Sequence, residues 1–189
     1  MATKKVALLL LDIQNGIVNR LEKPTTQYLQ TLSSVTQAAR NAQINTIHVV
    51  TAFRAGFPEC NPRNSSTAKV KEWGIFRDNH ESTQVHSAVS PLEEEPVITK
   101  RRVSAFTGTE LDMILRSWGV TELVVGGLIT SGAVLSTVRA AADLDYGVTV
   151  LEDGCMDRDA ELHRVLMEKV FMRQGRVISS EDWVGEISK

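Results

Sequence analysis

Cysteine is scarce: only Cys60 and Cys155 occur in 189 residues. Two isolated cysteines make no disulfide framework, so a reducing compartment, the cytoplasm, is the expected location. An excess of either charge is missing too. Lysine and arginine total 21 against 23 aspartates and glutamates, a net charge of −2, and Lys100-Arg101-Arg102 is the only tight basic cluster. That balance gives no electrostatic case for a nucleic-acid partner or an anionic membrane surface. No apolar stretch is long enough to span a bilayer. The N-terminal segment MATKKVALLLLDIQNG is too short in its apolar run to be a signal peptide. It stops at Asp12 without a small-residue cleavage site, so it reads as a buried strand. His48, His80, His86 and His163 lack ligand spacing, and neither metal nor cofactor is expected. Internal repeats, low-complexity tracts and linkers are also missing. What remains is a composition of 42% apolar and 23% charged residues, that of one soluble globular domain over residues 1–189.

The segment 121–139, TELVVGGLITSGAVLSTVR, organises the rest. An apolar run, Leu123-Val124-Val125, meets Gly126-Gly127, then a short turn, then a segment with Leu135, Val138 and Ala142 on one helical face. This predicts a buried strand, a tight turn and a helix N-terminus. Such a junction directs backbone N–H groups and the positive end of a helix dipole at one point, where an anion or a developing oxyanion fits.

Elsewhere the periodicity alternates. Residues 4–13 are a near-continuous apolar run, as for a central parallel strand covered on both faces, with Asp12 at its end. Residues 27–42 read as a helix and 46–53 as a second strand. Residues 54–95 are irregular, with one short helix near 66–72. Residues 96–99 form a strand ending at Lys100, and Thr109 with Asp112 resembles a capping box before the next helix. Further elements are a strand over 147–152, a helix over 159–172 with Leu162, Val165, Leu166 and Val170 inward, and a last strand over 176–178. The alternation predicts an α/β fold: a parallel sheet with helices on both faces.

Ligands of such sheets bind beyond the carboxyl ends of the strands. Three strands deliver Asp12, Lys100 and the 128–133 turn to that edge. A carboxylate, an ammonium and a ring of turn amides suit acyl transfer. The carboxylate takes a proton from a nucleophile, the lysine favours the nucleophile's anionic form, and the amides bind the oxyanion. Each residue also has a bland alternative, as a turn residue or a solvated charge.

The stretches LLLLDIQNG, AFRAGFPE, VITKRRVSAFTGTELDMILRSWG and LVVGGLITSGAVLSTVRAAADLDYGVTVLEDG resemble, in order and spacing, the isochorismatase-like cysteine hydrolases. The resemblance covers nearly the whole chain. It implies a three-layer sandwich around a six-stranded, mostly parallel sheet, a homodimer or homotetramer, and hydrolysis of small amides or related C–N bonds by an Asp–Lys–Cys triad. By position Asp12 matches the general base and Lys100 the triad lysine. The resemblance further implies a cis peptide at Leu128–Ile129 and an oxyanion hole from the amides of Ile129 and Ala133. The metal-containing nicotinamidase branch has an Asp-x-His pattern after the second strand, where this chain has Phe53-Arg54-Ala55-Gly56. Phe53, Trp73 and Phe76 are candidate pocket walls. Arg54 is a candidate partner for an anionic substrate group, and Gln14, Leu128 and Thr130 are further substrate-contact candidates.

The third triad member is missing. The family turn Thr-x-x-Cys-Val reads Thr130-Ser131-Gly132-Ala133-Val134 here, and neither Cys60 nor Cys155 matches the position. Three accounts stand open: an engineered Cys→Ala change that traps substrate; an isochorismatase-type vinyl-ether hydrolase using Asp12 as general acid without cysteine; or a non-catalytic module binding a small molecule.

Overall fold

The computed structural model describes residues 5–189. The first four residues, which include the start of the 4–13 run and of the segment weighed as a signal peptide, lie outside the described residues. Six strands form one sheet: β1 (Val6–Leu11), β2 (Asn45–Thr51), β3 (Val97–Lys100), β4 (Glu122–Leu128), β5 (Gly147–Met156) and β6 (Arg176–Ile178). Their order is β3-β2-β1-β4-β5-β6, and every neighbouring pair is parallel. The helices are α1 (Asn15–Val18), α2 (Thr26–Asn41), α3 (Ser65–Trp73), α4 (Leu111–Ser117), α5 (Leu135–Asp143), α6 (Ala160–Val165) and α7 (Ser180–Ile187). Among the described residues no helix is long and apolar enough to cross a membrane.

The unbroken apolar run of β1 has a direct cause. Ala7, Leu9 and Leu11 enter one core, with Leu111 and Leu115 of α4 and Val138 and Ala141 of α5. Leu8 and Leu10 enter the other, with Leu32, Val35 and Ala39 of α2 and Trp183 of α7. Successive strand residues point to opposite faces, so a strand covered on both sides must be apolar at every position. The strand order reverses direction between β1 and β4, the place where an open α/β sheet leaves a crevice at its carboxyl edge.

Gly127 sets how closely those two strands approach. It pairs with Leu11 at φ 155°, and a Cβ there would lie 2.5 Å from the Leu11 carbonyl oxygen. Only glycine fits without moving the backbone.

Several boundaries differ from the sequence expectation. The strand expected over 147–152 continues to Met156, through a register shift opposite Val125 and Gly127. The expected capping box is not formed. Thr109 Oγ1 accepts from the Leu111 N–H, but Asp112 bonds Arg116 and Tyr146 instead. The inward face of α5 is Thr137, Val138 and Ala141, with Leu135 and Ala142 only half-buried. The 159–172 helix is broken into α6, a π-helical turn over Leu166–Val170 and a 3₁₀ turn. Of the side chains expected inward, Leu166 is buried, Val165 and Val170 are half-buried and Leu162 is exposed; Met167 and Phe171 complete the buried face. Helix α7, unanticipated in the sequence, packs Trp183 against the α2 side of the sheet.

His48 is buried in β2, with Nε2 3.2 Å from Glu95 Oε2. Burial opposes charge on Glu95, but hydrogen bonds from Arg40, the Leu92 amide and His48 outweigh it and hold the carboxyl at about 2. Burial lowers the His48 pKa, against the opposing pull of Glu95.

Two predictions follow from this packing. Gly127→Ala should cost about 1–3 kcal/mol in urea unfolding, because backbone rather than a flexible side chain must move. His48 is held neutral where the unfolded chain, with a value near 6.5, would take a proton. Its contribution is complete above that pH and is lost as pH falls toward the depressed folded value. The free energy of unfolding in urea should drop on acidification below pH 6.5, by at most about 1.4 kcal/mol per pH unit per histidine. It should drop less steeply in His48→Gln. His163, also lowered by burial, accounts for part of the remaining slope.

Candidate active site

The carboxyl ends of β1, β2 and β3 meet in one buried ion pair. Lys100 Nζ lies 2.9 Å from Asp12 Oδ2, and the two residues are 3% and 4% exposed. Thr51, at the end of β2, joins them: its hydroxyl accepts from Lys100 Nζ at 2.7 Å and donates to Asp12 Oδ1 at 2.9 Å. Lys100 Nζ also donates to the Arg102 carbonyl at 3.4 Å. Asp12 has φ 56°, in the left-handed region that aspartate and asparagine tolerate better than other side chains, and its N–H donates to Val49 O. The residue type thus suits both the charge and the backbone bend that ends β1.

The 2.9 Å between the charged atoms lies within the roughly 4–6 Å over which opposite charges couple. Thr51 was missed in the sequence. No local pattern marks it: Thr51 is opposite Lys100 only through the β2–β3 register, which the structure sets. Gln14 is fully buried and clamps that strand end. Its Oε1 accepts from the Thr51 N–H at 2.6 Å, and its Nε2 donates to the carbonyls of Thr51 and Ser82. With its amide fully engaged, Gln14 positions Thr51 rather than facing a ligand.

The turn after β4 faces the pair. The Leu128–Ile129 peptide is cis, and Thr130–Val134 form a single π-helical turn leading into α5. The Gly132 and Val134 N–H groups donate to the Ile129 carbonyl. The Ser131 N–H donates to Asp157 Oδ2 at 2.7 Å, and Thr130 Oγ1 lies 2.9 Å from His163 Nδ1. Asp157, buried, is a second residue the sequence reading missed. It lies beyond the expected end of β5, and no local pattern marks it. Ala133 is buried, and its methyl group belongs to the core beside Val134.

A cavity of about 190 Å³ opens between these parts. Asp12, Thr51, Lys100, Ile129 and Ala133 line it, with Ile17, Phe53 and Val70 as apolar wall and Arg101, Arg102 and Val103 alongside. Other expected contacts lie elsewhere. Trp73 ends α3, about 10 Å along the helix from the lining residue Ser66 at 1.5 Å rise per residue; it is 59% exposed and not part of the lining. Phe76 packs with Phe53 and Cys60 in a separate small cluster behind the wall. Leu128 belongs to the α2-side core, and Thr130 is turned toward His163. Arg54 pairs with Glu59 with 62% of its side chain exposed, as a surface salt bridge. Cys155 is buried, and burial pushes its thiol up to about 12. Among the described residues no cluster of three or more histidine, cysteine, aspartate or glutamate residues is arranged to hold a metal.

Burial makes the Asp12–Lys100 pair sensitive to loss of one partner. Lys100→Met, which strands the carboxylate, should cost about 3–5 kcal/mol in urea unfolding, and Asp12→Asn combined with Lys100→Met should recover a large share. Equal losses in the single and double variants would contradict this coupling.

Comparison with known proteins accords with the architecture. Residues 6–182 match the family described as Isochorismatase domain. The uncharacterized isochorismatase family protein YddQ of Bacillus subtilis (strain 168) is 33% identical over 150 residues, covering 79% of this chain and 76% of that one. The ureidoacrylate amidohydrolase RutB of Acinetobacter baylyi is 26% identical over 206 residues, covering 97% and 84%. A crystal structure of a cysteine hydrolase from Pseudomonas syringae pv. phaseolicola shares the fold with a TM-score of 0.90 at 22% identity, covering 97% of this chain and 92% of that one. This chain belongs to the isochorismatase family of hydrolases.

Proposed function

We propose that the site is that of a hydrolase of small amides or related C–N bonds, built for an Asp–Lys–Cys triad and held here in a form without its nucleophile. The observation that carries this reading is the buried Asp12–Thr51–Lys100 group lining the same cavity as the turn at Ala133. The relative described as a ureidoacrylate amidohydrolase supports the bond type.

The reading assigns each part a step. A sulfur at position 133 gives its proton to Asp12, with Lys100 stabilising the thiolate. The thiolate attacks the amide carbonyl. We assign the oxyanion to the Ile129 and Ala133 N–H groups, as the resemblance to the family implies; the Ser131, Gly132 and Val134 amides are engaged by Asp157 and the Ile129 carbonyl. Collapse of the adduct breaks the C–N bond, and the leaving amine takes the proton from Asp12. Water then hydrolyses the thioester to the acid. With a methyl group at 133 the substrate binds but no thioester forms, which is the behaviour of a substrate trap.

The missing nucleophile itself favours one second reading, a vinyl-ether hydrolysis in which Asp12 protonates the substrate and water attacks. The two separate in one experiment. Ala133→Cys should release ammonia or amine from a panel of small aliphatic and aromatic amides, several orders of magnitude faster than the parent, because triad members act as a unit. Ala133→Ser should do much less. Iodoacetamide labelling should report the new thiol as reactive. A folded Ala133→Cys protein with an unreactive thiol and no amide turnover would sink the amidase reading. Cleavage of isochorismate by the parent chain, abolished by Asp12→Asn, would establish the vinyl-ether reading. Tight binding of a small ligand without catalysis in either protein would mark a binding module.

A further inference from the structure

The turn that carries Ala133 is held, at its first two residues, by side chains outside the active-site cavity. The Ser131 N–H donates to Asp157, and Thr130 Oγ1 lies 2.9 Å from His163 Nδ1. Thr130 is fully buried, and its hydroxyl has no other hydrogen-bond partner among the described residues. A buried hydroxyl proton without an acceptor is costly, so this one goes to Nδ1. That fixes the imidazole as the neutral tautomer with its own proton on Nε2. A protonated ring carries hydrogens on both nitrogens and can only donate at Nδ1. The Thr130 proton is then stranded in the interior.

The half-buried His163 belongs to a second cavity of about 650 Å³, lined also by Lys23, Tyr28, Glu152, Cys155 and Asp157. The two cavities share no lining residue, so the group that holds the turn is not part of the site it serves. Burial, the largest influence, lowers the His163 pKa against the pull of Glu152 in β5 and Asp157 beyond it; Lys23, before α2, adds to the lowering. On α6 itself Glu161 pairs with Arg164, and Asp159 accepts from the Glu161 and Leu162 amides. A shift of Thr130 is passed on in both directions. Its peptide neighbour is Ile129, whose carbonyl accepts from Gly132 and Val134, and its own carbonyl accepts from the Leu135 N–H at the start of α5. Ala133 lies inside that ring of bonds.

We propose that His163 is a positioning residue for the site: its neutral ring holds Thr130 and so fixes the backbone of Ile129 and Ala133, and protonation of the ring releases that turn. The hold rests on the hydrogen bonds alone; its effect on amide hydrolysis rests on the proposed function.

Hydrogen–deuterium exchange of the parent chain, corrected for the intrinsic pH dependence of exchange, tests the hold without turnover. Protection of residues 129–134 should fall as pH drops below about 6.5, because the released ring takes a proton more readily than the held one, by up to about tenfold per pH unit. His163→Asn puts an oxygen acceptor that does not titrate in the place of Nδ1; it should keep the protection and remove its pH dependence. His163→Ala should lower protection at every pH. Thr130→Val, which removes the hydroxyl with little change of shape, should lower it about fivefold at neutral pH, the share of one hydrogen bond. Combining it with His163→Ala should add little, since both remove the same bond. Circular dichroism confirms that the variants fold. Protection that does not change with pH in the parent chain, or a pH dependence that survives His163→Asn, overturns the proposal. The Ala133→Cys protein separates it from the amidase reading. Its amide turnover should fall on acidification over the same range, and His163→Asn should flatten that fall. If protection behaves as expected yet the Ala133→Cys protein cleaves no amide, the hold stands and the amidase reading falls. If it cleaves amides at rates that His163→Asn and His163→Ala leave unchanged at every pH, the amidase reading stands and this proposal falls.

Discussion

A buried ion pair constrains everything at the sheet edge. Taking a carboxylate and an ammonium out of water is costly, and their attraction offsets that only when the geometry is close and the remaining hydrogen-bonding capacity is met. Asp12 and Lys100 meet both conditions through Thr51, whose single hydroxyl accepts from one and donates to the other. The pair therefore ties together the ends of three parallel strands. Gln14 extends the tie by clamping the Thr51 backbone and, through Ser82, the long connection after β2. A polar knot of this kind is a liability without its partners and a rigid reference point with them.

The turn after β4 is the second fixed part, and its position follows from packing. Glycine at 127 lets β4 lie against Leu11 of β1 with no side chain between, so the turn emerges beside Asp12. The turn is then pinned from behind: Asp157 takes the Ser131 N–H and His163 meets Thr130. Those bonds commit part of the turn's donors to the protein and orient the rest. Ala133 occupies a position that shares the hydrophobic core with Val134 and the cavity with Asp12, so a side chain there is both buried and presented. That double placement would suit a small nucleophile, and a methyl group fills the same space inertly.

The local and the tertiary contributions separate along physical lines. Sequence alone determined the alternation of strands and helices, because an element covered on both faces must be apolar throughout and an amphipathic helix must repeat near 3.6 residues. It also determined that Asp12, Lys100 and the Thr130–Val134 turn end their strands at one edge, since parallel strands all deliver their carboxyl ends to the same side. Tertiary structure decided which polar groups meet there. Thr51 bridges the pair because β2 lies between β1 and β3 in register; Gln14 turns to Thr51 rather than to the cavity; Glu59 draws Arg54 and Arg101 to itself; Asp157 reaches the turn because β5 runs four residues past its expected end at Glu152. Each of these depends on contacts between distant segments and on competition between side chains for the same partner, and neither leaves a trace in local periodicity.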